Sequence, residues 1–116
     1  MSIELKGKVA IVTGASRGIG KALASTAASL GITVAIAARQ EGPLKETADE
    51  LVRKYKVPVL AVPCDVTRLE DLENLVNKTK EKFGKIDILI NNAGVSSQYP
   101  FQQQPIEDFE RLAHTN

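Results

Sequence analysis

Thr13-Gly14-Ala15-Ser16-Arg17-Gly18-Ile19-Gly20 is the stretch on which the fold turns. Before it, Lys8 to Thr13 reads Lys-Val-Ala-Ile-Val-Thr, a short apolar run rich in β-branched residues, as a strand buried on both faces would be. After it, apolar residues recur at Ile19, Ala22, Leu23, Ala27 and Leu30, which is helical spacing, and Gly31 stands where a left-handed residue closes a helix. The octet is thus a glycine-rich loop between a buried strand and a helix. Three glycines let the backbone turn tightly and approach a ligand. The helix start adds N–H donors and the positive end of its dipole, a combination suited to a pyrophosphate. The spacing is not the Gly-x-Gly-x-x-Gly of the standard dinucleotide fingerprint: Gly14 and Gly18 enclose Ala15, Ser16 and Arg17, and Gly18 and Gly20 enclose Ile19.

Working outward, strand and helix patterns alternate. Thr33 to Ala38 is a second continuous apolar run, followed by a stripe of Leu44, Ala48, Leu51, Val52 and Tyr55 with Pro43 near its start. A third strand is expected over Val57 to Val62. Thr67 and Glu70 then have capping-box spacing ahead of Leu69, Leu72, Leu75, Val76 and Phe83, and Gly84 follows. Ile86 to Ile90 predicts a fourth strand. A polar segment with Pro100, Pro105 and a solvated Gln102-Gln103-Gln104 run comes next, and Phe109, Leu112 and Ala113 begin a last helical stripe. Such alternation predicts an α/β protein: a Rossmann-type doubly wound parallel sheet with helices on both faces, as one domain over 1–116. In such sheets ligands bind beyond the carboxyl ends of the strands, here the loops after residues 13, 38, 62 and 90.

Composition narrows the function. Fifteen Lys and Arg against fourteen Asp and Glu give a net charge of +1, which argues against nucleic acid as a partner. No apolar run approaches a membrane span, and Met1-Ser2-Ile3-Glu4-Leu5-Lys6 lacks the pattern of an export signal, so a cytoplasmic protein is expected. Cys64 is the single cysteine; it permits neither an internal disulfide nor a cysteine metal cluster and is expected to be a buried thiol, and no metal site is expected.

Two other motifs overlap the loop. Gly14-Ala15-Ser16-Arg17-Gly18 satisfies the Gly-x-Ser-x-Gly nucleophile elbow of serine hydrolases, with Asp65 or Asp87 and then His114 in the matching order. That reading needs His114, the only histidine, to reach Ser16, although His114 sits in an ordinary amphipathic stretch. The phosphate loop of nucleotide hydrolases fails on spacing, and Ala22 stands where Ser or Thr should bind magnesium.

Thr-Gly-x-x-x-Gly-x-Gly at 13–20, Cys64-Asp65-Val66 after the third strand and Asn91-Asn92-Ala93-Gly94 after the fourth together resemble the motifs of short-chain dehydrogenases/reductases. The general likeness is to 3-oxoacyl-acyl-carrier-protein reductases, and it spans essentially the whole chain. The resemblance implies a nicotinamide-dependent oxidoreductase that interconverts a carbonyl and an alcohol by hydride transfer. By it, Gly14, Ser16, Arg17, Gly18, Ile19 and Gly20 would cradle the cofactor's phosphates and adenosine ribose. Asp65 would accept the adenine amino group and Val66 would touch the adenine ring. Asn91, Ala93 and Gly94 would line the ribose side, with Asn92 tying strands together.

Cofactor choice rests on the end of the second strand, Ala35-Ile36-Ala37-Ala38-Arg39-Gln40. An NAD(H) site typically places a carboxylate there for the ribose 2′-hydroxyl. Arg39 instead offers a guanidinium suited to a 2′-phosphate, and Arg17 could reach the same group, so NADP(H) is expected rather than NAD(H).

The family's acid/base pair is a Tyr-x-x-x-Lys, and this chain has none: Val59 lies four residues after Tyr55 and Gln103 four after Tyr99. Asn116 matches the family's helix asparagine, which holds a proton-relay water, and is the one catalytic residue the resemblance assigns here. The expectation is an amino-terminal half that is inactive alone and marginally stable or self-associating. The parent would be a homodimer or homotetramer acting on a small-molecule carbonyl or alcohol. A non-catalytic nucleotide-binding or interaction module is the alternative.

Overall fold

All five residues of β1, Val9–Thr13, and all six of β2, Thr33–Ala38, are buried, as strands covered on both faces must be. The protein is described from a computed structural model that covers residues 5–92 and 102–104. After β1 and β2 come β3 at Val59–Pro63 and β4 at Ile88–Asn91, with the helices α1 at Gly18–Ser29, α2 at Glu41–Tyr55 and α3 at Leu69–Phe83 between successive strands. The strands pair in the order β3-β2-β1-β4, all parallel, with Ile11 opposite Ala35 on one side and Leu89 on the other. β3 and β4 each begin two residues later than the apolar runs suggest.

Side-chain alternation along the strands divides the interior into two cores. Ala10, Val12, Val34, Ile36 and Ala38 pack with Ala24, Ala27 and Ala28 of α1 and with Leu44 and Leu51 of α2. Ile11, Ala35, Ala37, Val62 and Leu89 face the other way, onto Leu72, Leu75 and Val76 of α3. Helices therefore cover both faces, and the doubly wound parallel sheet expected from the sequence is the observed architecture.

Three local expectations need correction. The buried face of α1 is Gly20, Ala24, Ala27 and Ala28, whereas Ile19 and Leu30 are 62% and 51% exposed. Small residues bring this helix onto the sheet, and two of the apolar residues of the expected stripe point outward. Thr67 does not cap α3: Arg68 is the N-cap residue without a side-chain cap bond, and the Thr67 hydroxyl is bonded to Asp65 instead. Gln102–Gln104 is not a loop but a three-residue strand, β5, antiparallel to β4, with its backbone satisfying an otherwise open strand edge.

Candidate functional site

Three loops leave the carboxyl ends of β1, β2 and β3 on the same edge of the sheet and enclose a cleft of about 650 Å³. Gly14, Ser16 and Arg17 form one wall, Ala38, Arg39 and Gln40 a second, and Cys64, Asp65, Val66 and Thr67 a third. The loops are locked to the sheet by backbone bonds: Ala15 N–H donates to Ala37 O (3.1 Å) and Cys64 N–H to Ala38 O (2.8 Å). From α2 the buried Thr47 hydroxyl donates to Ser16 O at 3.4 Å.

The glycines of the first loop are required for different reasons. Gly14 and Gly18 have φ of 64° and 61°, a conformation that side chains with a Cβ resist. Gly20 is needed for space, because a Cβ there would lie 1.8 Å from Gly14 O and 2.7 Å from the Asn92 side-chain nitrogen. The loop backbone is thereby folded down onto the first turn of α1. That turn contains no acidic residue and its N-cap, Arg17, makes no side-chain cap bond. The N–H groups at the start of a helix lack carbonyl partners within it, so this end of α1 has the charge and the donors for an anion. The cradle and the basic wall fit the phosphates of a dinucleotide.

Beneath the loop, the buried Thr13 hydroxyl donates to Asn91 Oδ1 at 2.7 Å and accepts from Asn92 N–H at 2.9 Å, joining the ends of β1 and β4. Asn92 Nδ2 also donates to Gly14 O at 3.5 Å, so the side chain expected to tie strands together holds the glycine loop, and the Asn92 backbone makes the link between strands. Asn91, expected along the ribose side, has its carboxamide oxygen directed at Thr13 and is not one of the residues lining the cleft. Of the other residues singled out in the sequence, Gly14, Ser16, Arg17, Arg39, Asp65 and Val66 share the cleft, and Gly18, Ile19 and Gly20 form the adjoining helix start. Ala93, Gly94 and Asn116 lie outside the described residues. Ala38, Gln40, Cys64 and Thr67 line the cleft without having been singled out for it; their only sequence signal is adjacency to Arg39 and Asp65 at the strand ends.

Asp65 is the carboxylate of the cleft. Its Oδ1 accepts from the Thr67 hydroxyl (2.6 Å) and the Thr67 N–H (3.0 Å), and its own N–H donates to Asp71 Oδ2 at 2.9 Å. The two Thr67 hydrogen bonds hold its carboxyl below the usual range, with Arg39 and Arg68 adding to the effect. Arg39 Nε lies 4.0 Å from Asp65 Oδ2, and the Arg39 side chain is 80% exposed. Cys64 is buried beside it, and burial pushes its thiol up to about 11.

The serine-hydrolase arrangement is not assembled with Asp87. That carboxylate accepts from Val9 N–H at 2.9 Å, at the opposite end of β1 from Ser16. His114 lies outside the described residues. Among the described residues no cluster of His, Cys, Asp and Glu could hold a metal ion, and no helix is long and apolar enough to cross a membrane.

Comparison with known proteins agrees with this geometry. A sequence model of the short chain dehydrogenase family matches residues 8–116. An uncharacterized oxidoreductase of Staphylococcus saprophyticus is 41% identical over 114 residues, covering 98% of this chain and 49% of the relative. The crystal structure of L-sorbose reductase from Gluconobacter frateurii, complexed with NADPH and L-sorbose, superposes with a TM-score of 0.79 at 42% identity over 84% of this chain and 37% of that one. A short chain dehydrogenase/reductase from Burkholderia phymatum in complex with NAD gives a TM-score of 0.71 at 39% identity, covering 76% and 31%. The chain thus spans about half the length of the curated relatives it matches.

Proposed function

The chain belongs to the short-chain dehydrogenase family, and on that premise we propose that it is the cofactor-binding part, over residues 1–116, of an NADP(H)-dependent oxidoreductase interconverting a carbonyl and an alcohol. The bound nicotinamide would supply or accept the hydride. The observation that carries the reading is the pairing of an anion-ready helix start, folded against Gly14 and Gly20, with two arginines on the walls of the same cleft.

Each wall has a separate task in this proposal. The Gly14–Gly20 loop and the start of α1 would hold the pyrophosphate, and Asp65 with Val66 the adenine. Arg39 and Arg17 would hold a 2′-phosphate. The end of β2 supports the last assignment, because Ala38-Arg39-Gln40 presents no carboxylate to the cleft and the next acid, Glu41, is engaged by Lys45 at 3.7 Å on the surface of α2. The Arg39–Asp65 contact is long, exposed and weak, and a phosphate dianion would draw Arg39 away from it. The solved relatives carry NADPH in one case and NAD in the other, so the preference rests on this chain's own residues.

Catalysis would need a proton donor, and the 116 residues contain no Tyr-x-x-x-Lys. Residues 1–116 alone would therefore bind cofactor without turnover, and Asn116 is proposed as the family's helix asparagine. The protein containing this chain is proposed to be cytoplasmic, to act on a small molecule and to assemble as a dimer or tetramer. Titration with NADPH and NADH, followed by cofactor fluorescence, tests the reading: a preference for NADPH of about tenfold or more is expected for one charge-assisted contact. Equal affinities would overturn the NADP(H) assignment, and no binding of either would overturn the cofactor site. NADPH oxidation by residues 1–116 alone with a carbonyl substrate would overturn the division of labour.

A further inference from the structure

Among the described residues two threonines are buried inside helices, and their hydroxyls go to different places. In α3 the Thr79 hydroxyl turns back on its own helix and donates to Leu75 O at 2.7 Å, the usual outlet for a helical threonine. In α2 the Thr47 hydroxyl instead leaves the helix and donates to Ser16 O at 3.4 Å, 31 residues away in the chain. Two more polar contacts continue the seam between α1 and α2: Lys21 meets Glu50 at 3.2 Å, and Ser25 Oγ meets the Tyr55 hydroxyl at 2.8 Å. Of the three, only the Thr47 bond falls on a wall of the cleft, because Ser16 lines it.

Arg17 follows Ser16 directly, and α2 begins two residues after Arg39. Thr47 therefore joins the backbone of one arginine-bearing wall to the helix that continues from the other. We propose that Thr47 is a positioning residue for cofactor choice: by holding the Ser16–Arg17 peptide against α2 it sets the separation of Arg17 and Arg39, and with it the preference for a dinucleotide that carries a 2′-phosphate. This rests on the reading of the cleft as an NADP(H) site. The peptide needs such an anchor, because the residue after Arg17 is Gly18, at φ 61°, and glycine leaves the chain free to turn. Once the tether is cut, two guanidinium groups that must meet at one phosphate lose their fixed spacing. The helix start that would take the pyrophosphate is held separately, by the close approach of Gly20 to Gly14 O. The tether thus bears on the 2′-phosphate more than on the part that NADPH and NADH share. Thr47→Val keeps the shape of the side chain, and Ser16, only half-buried, can give its carbonyl to water, so the fold is retained.

The test measures NADPH and NADH affinity for the intact protein and for Thr47→Val, Thr47→Ser, Ser25→Ala, Arg17→Met and the Thr47→Val/Arg17→Met pair. Against a wild-type preference for NADPH of about tenfold or more, Thr47→Val is expected to leave about threefold or less, with NADH affinity changed by less than about twofold. Thr47→Ser keeps the hydroxyl and is expected to restore the preference. Ser25→Ala removes a contact of the same seam away from the cleft and is expected to leave it unchanged. Since the tether acts through Arg17, Thr47→Val is expected to cost no further NADPH affinity once Arg17→Met is in place. A Thr47→Val protein that keeps the preference, or loses NADPH and NADH affinity in equal measure, would overturn the role of Thr47 while the cofactor reading stands. Additive losses in the double variant would overturn the action through Arg17. A wild type that binds both dinucleotides equally, or neither, would overturn the proposal together with the NADP(H) reading on which it rests.

Discussion

The Cβ that an alanine at position 20 would carry falls 1.8 Å from the carbonyl oxygen of Gly14, six residues earlier in the chain. Both atoms belong to well-anchored parts, one to a loop bonded to β2 through Ala15 and the other to a buried position of α1, so neither yields cheaply. Gly20→Ala is expected to cost about 1–3 kcal/mol of stability through overpacking. It is also expected to weaken NADPH binding by more than about tenfold, because the loop must lift away from the helix start that holds the phosphates. Chemical denaturation and fluorescence titration measure the two effects, and Gly20→Ala binding at wild-type strength would contradict the cradle.

Arg39→Asp replaces the proposed 2′-phosphate ligand with the carboxylate that a ribose 2′-hydroxyl prefers. The expected result is a fall in NADPH affinity of about tenfold or more and a rise in NADH affinity, so that the preference inverts. Because Arg39 is 80% exposed and its contact with Asp65 is long, the melting temperature is expected to change little. Paired titrations of the two cofactors decide it.

Thr13 lies completely buried with its hydroxyl between Asn91 Oδ1 and Asn92 N–H. Thr13→Val keeps the shape and removes the bonds, leaving a half-buried amide oxygen and a backbone N–H without that partner. A loss of about 1–3 kcal/mol is expected, with Thr13→Ser recovering most of it. Urea unfolding of the three proteins, with unchanged m-values, is the measurement.

Lys56 ends α2 with φ 60° and ψ 34°, the left-handed conformation, and is the one non-glycine with positive φ among the described residues. Lys56→Gly removes that strain at the helix end. Stability is expected to rise by about 0.5–1 kcal/mol, read as a higher denaturation midpoint.

Cys64 is a thiol whose value burial raises from 9.0 to about 11, with the carboxylates of Asp71 and Asp65 adding to it. Since the folded value is the higher one, the stability linked to keeping this thiol neutral is whole below pH 9. It is lost as pH climbs through 11. At pH 8 the folded protein is expected to react with iodoacetamide about a hundredfold more slowly than an unfolded control. Equal rates would contradict the buried assignment.

How far the sequence could be read depended on what each residue competes with. β1, the glycine loop and the start of α1 were legible because a buried β-branched run, three glycines and a helical period say the same thing in succession. The packing face of α1 was not: apolar periodicity weighs hydrophobicity, and the contact with the sheet is made by Gly20, Ala24, Ala27 and Ala28 because they are small. Thr67 and Glu70 carry a capping-box spacing, yet Asp65 sits two residues before Thr67 and takes its hydroxyl, a local contest that a spacing rule does not rank. Arg39 was legible from the missing carboxylate at the end of the second apolar run, and Asp65 only through the likeness of Cys64-Asp65-Val66 to a family motif. Gln40 and Cys64, which share their cleft, became visible only when three loops were brought to one edge. The glutamine triplet 102–104 carries no apolar alternation at all, and its strand pairing is set by the open edge of β4.

The central claim is that the cleft between the ends of β1, β2 and β3 holds a nicotinamide dinucleotide phosphate. Chemical-shift mapping of the isotopically labelled chain during NADPH titration tests it most directly. Saturable shifts concentrated at Gly14, Ser16, Arg17, Arg39, Asp65 and Thr67, with α3 beyond its first turn unmoved, are the predicted result. An absence of saturable shifts, or their concentration away from these three loops, would contradict it.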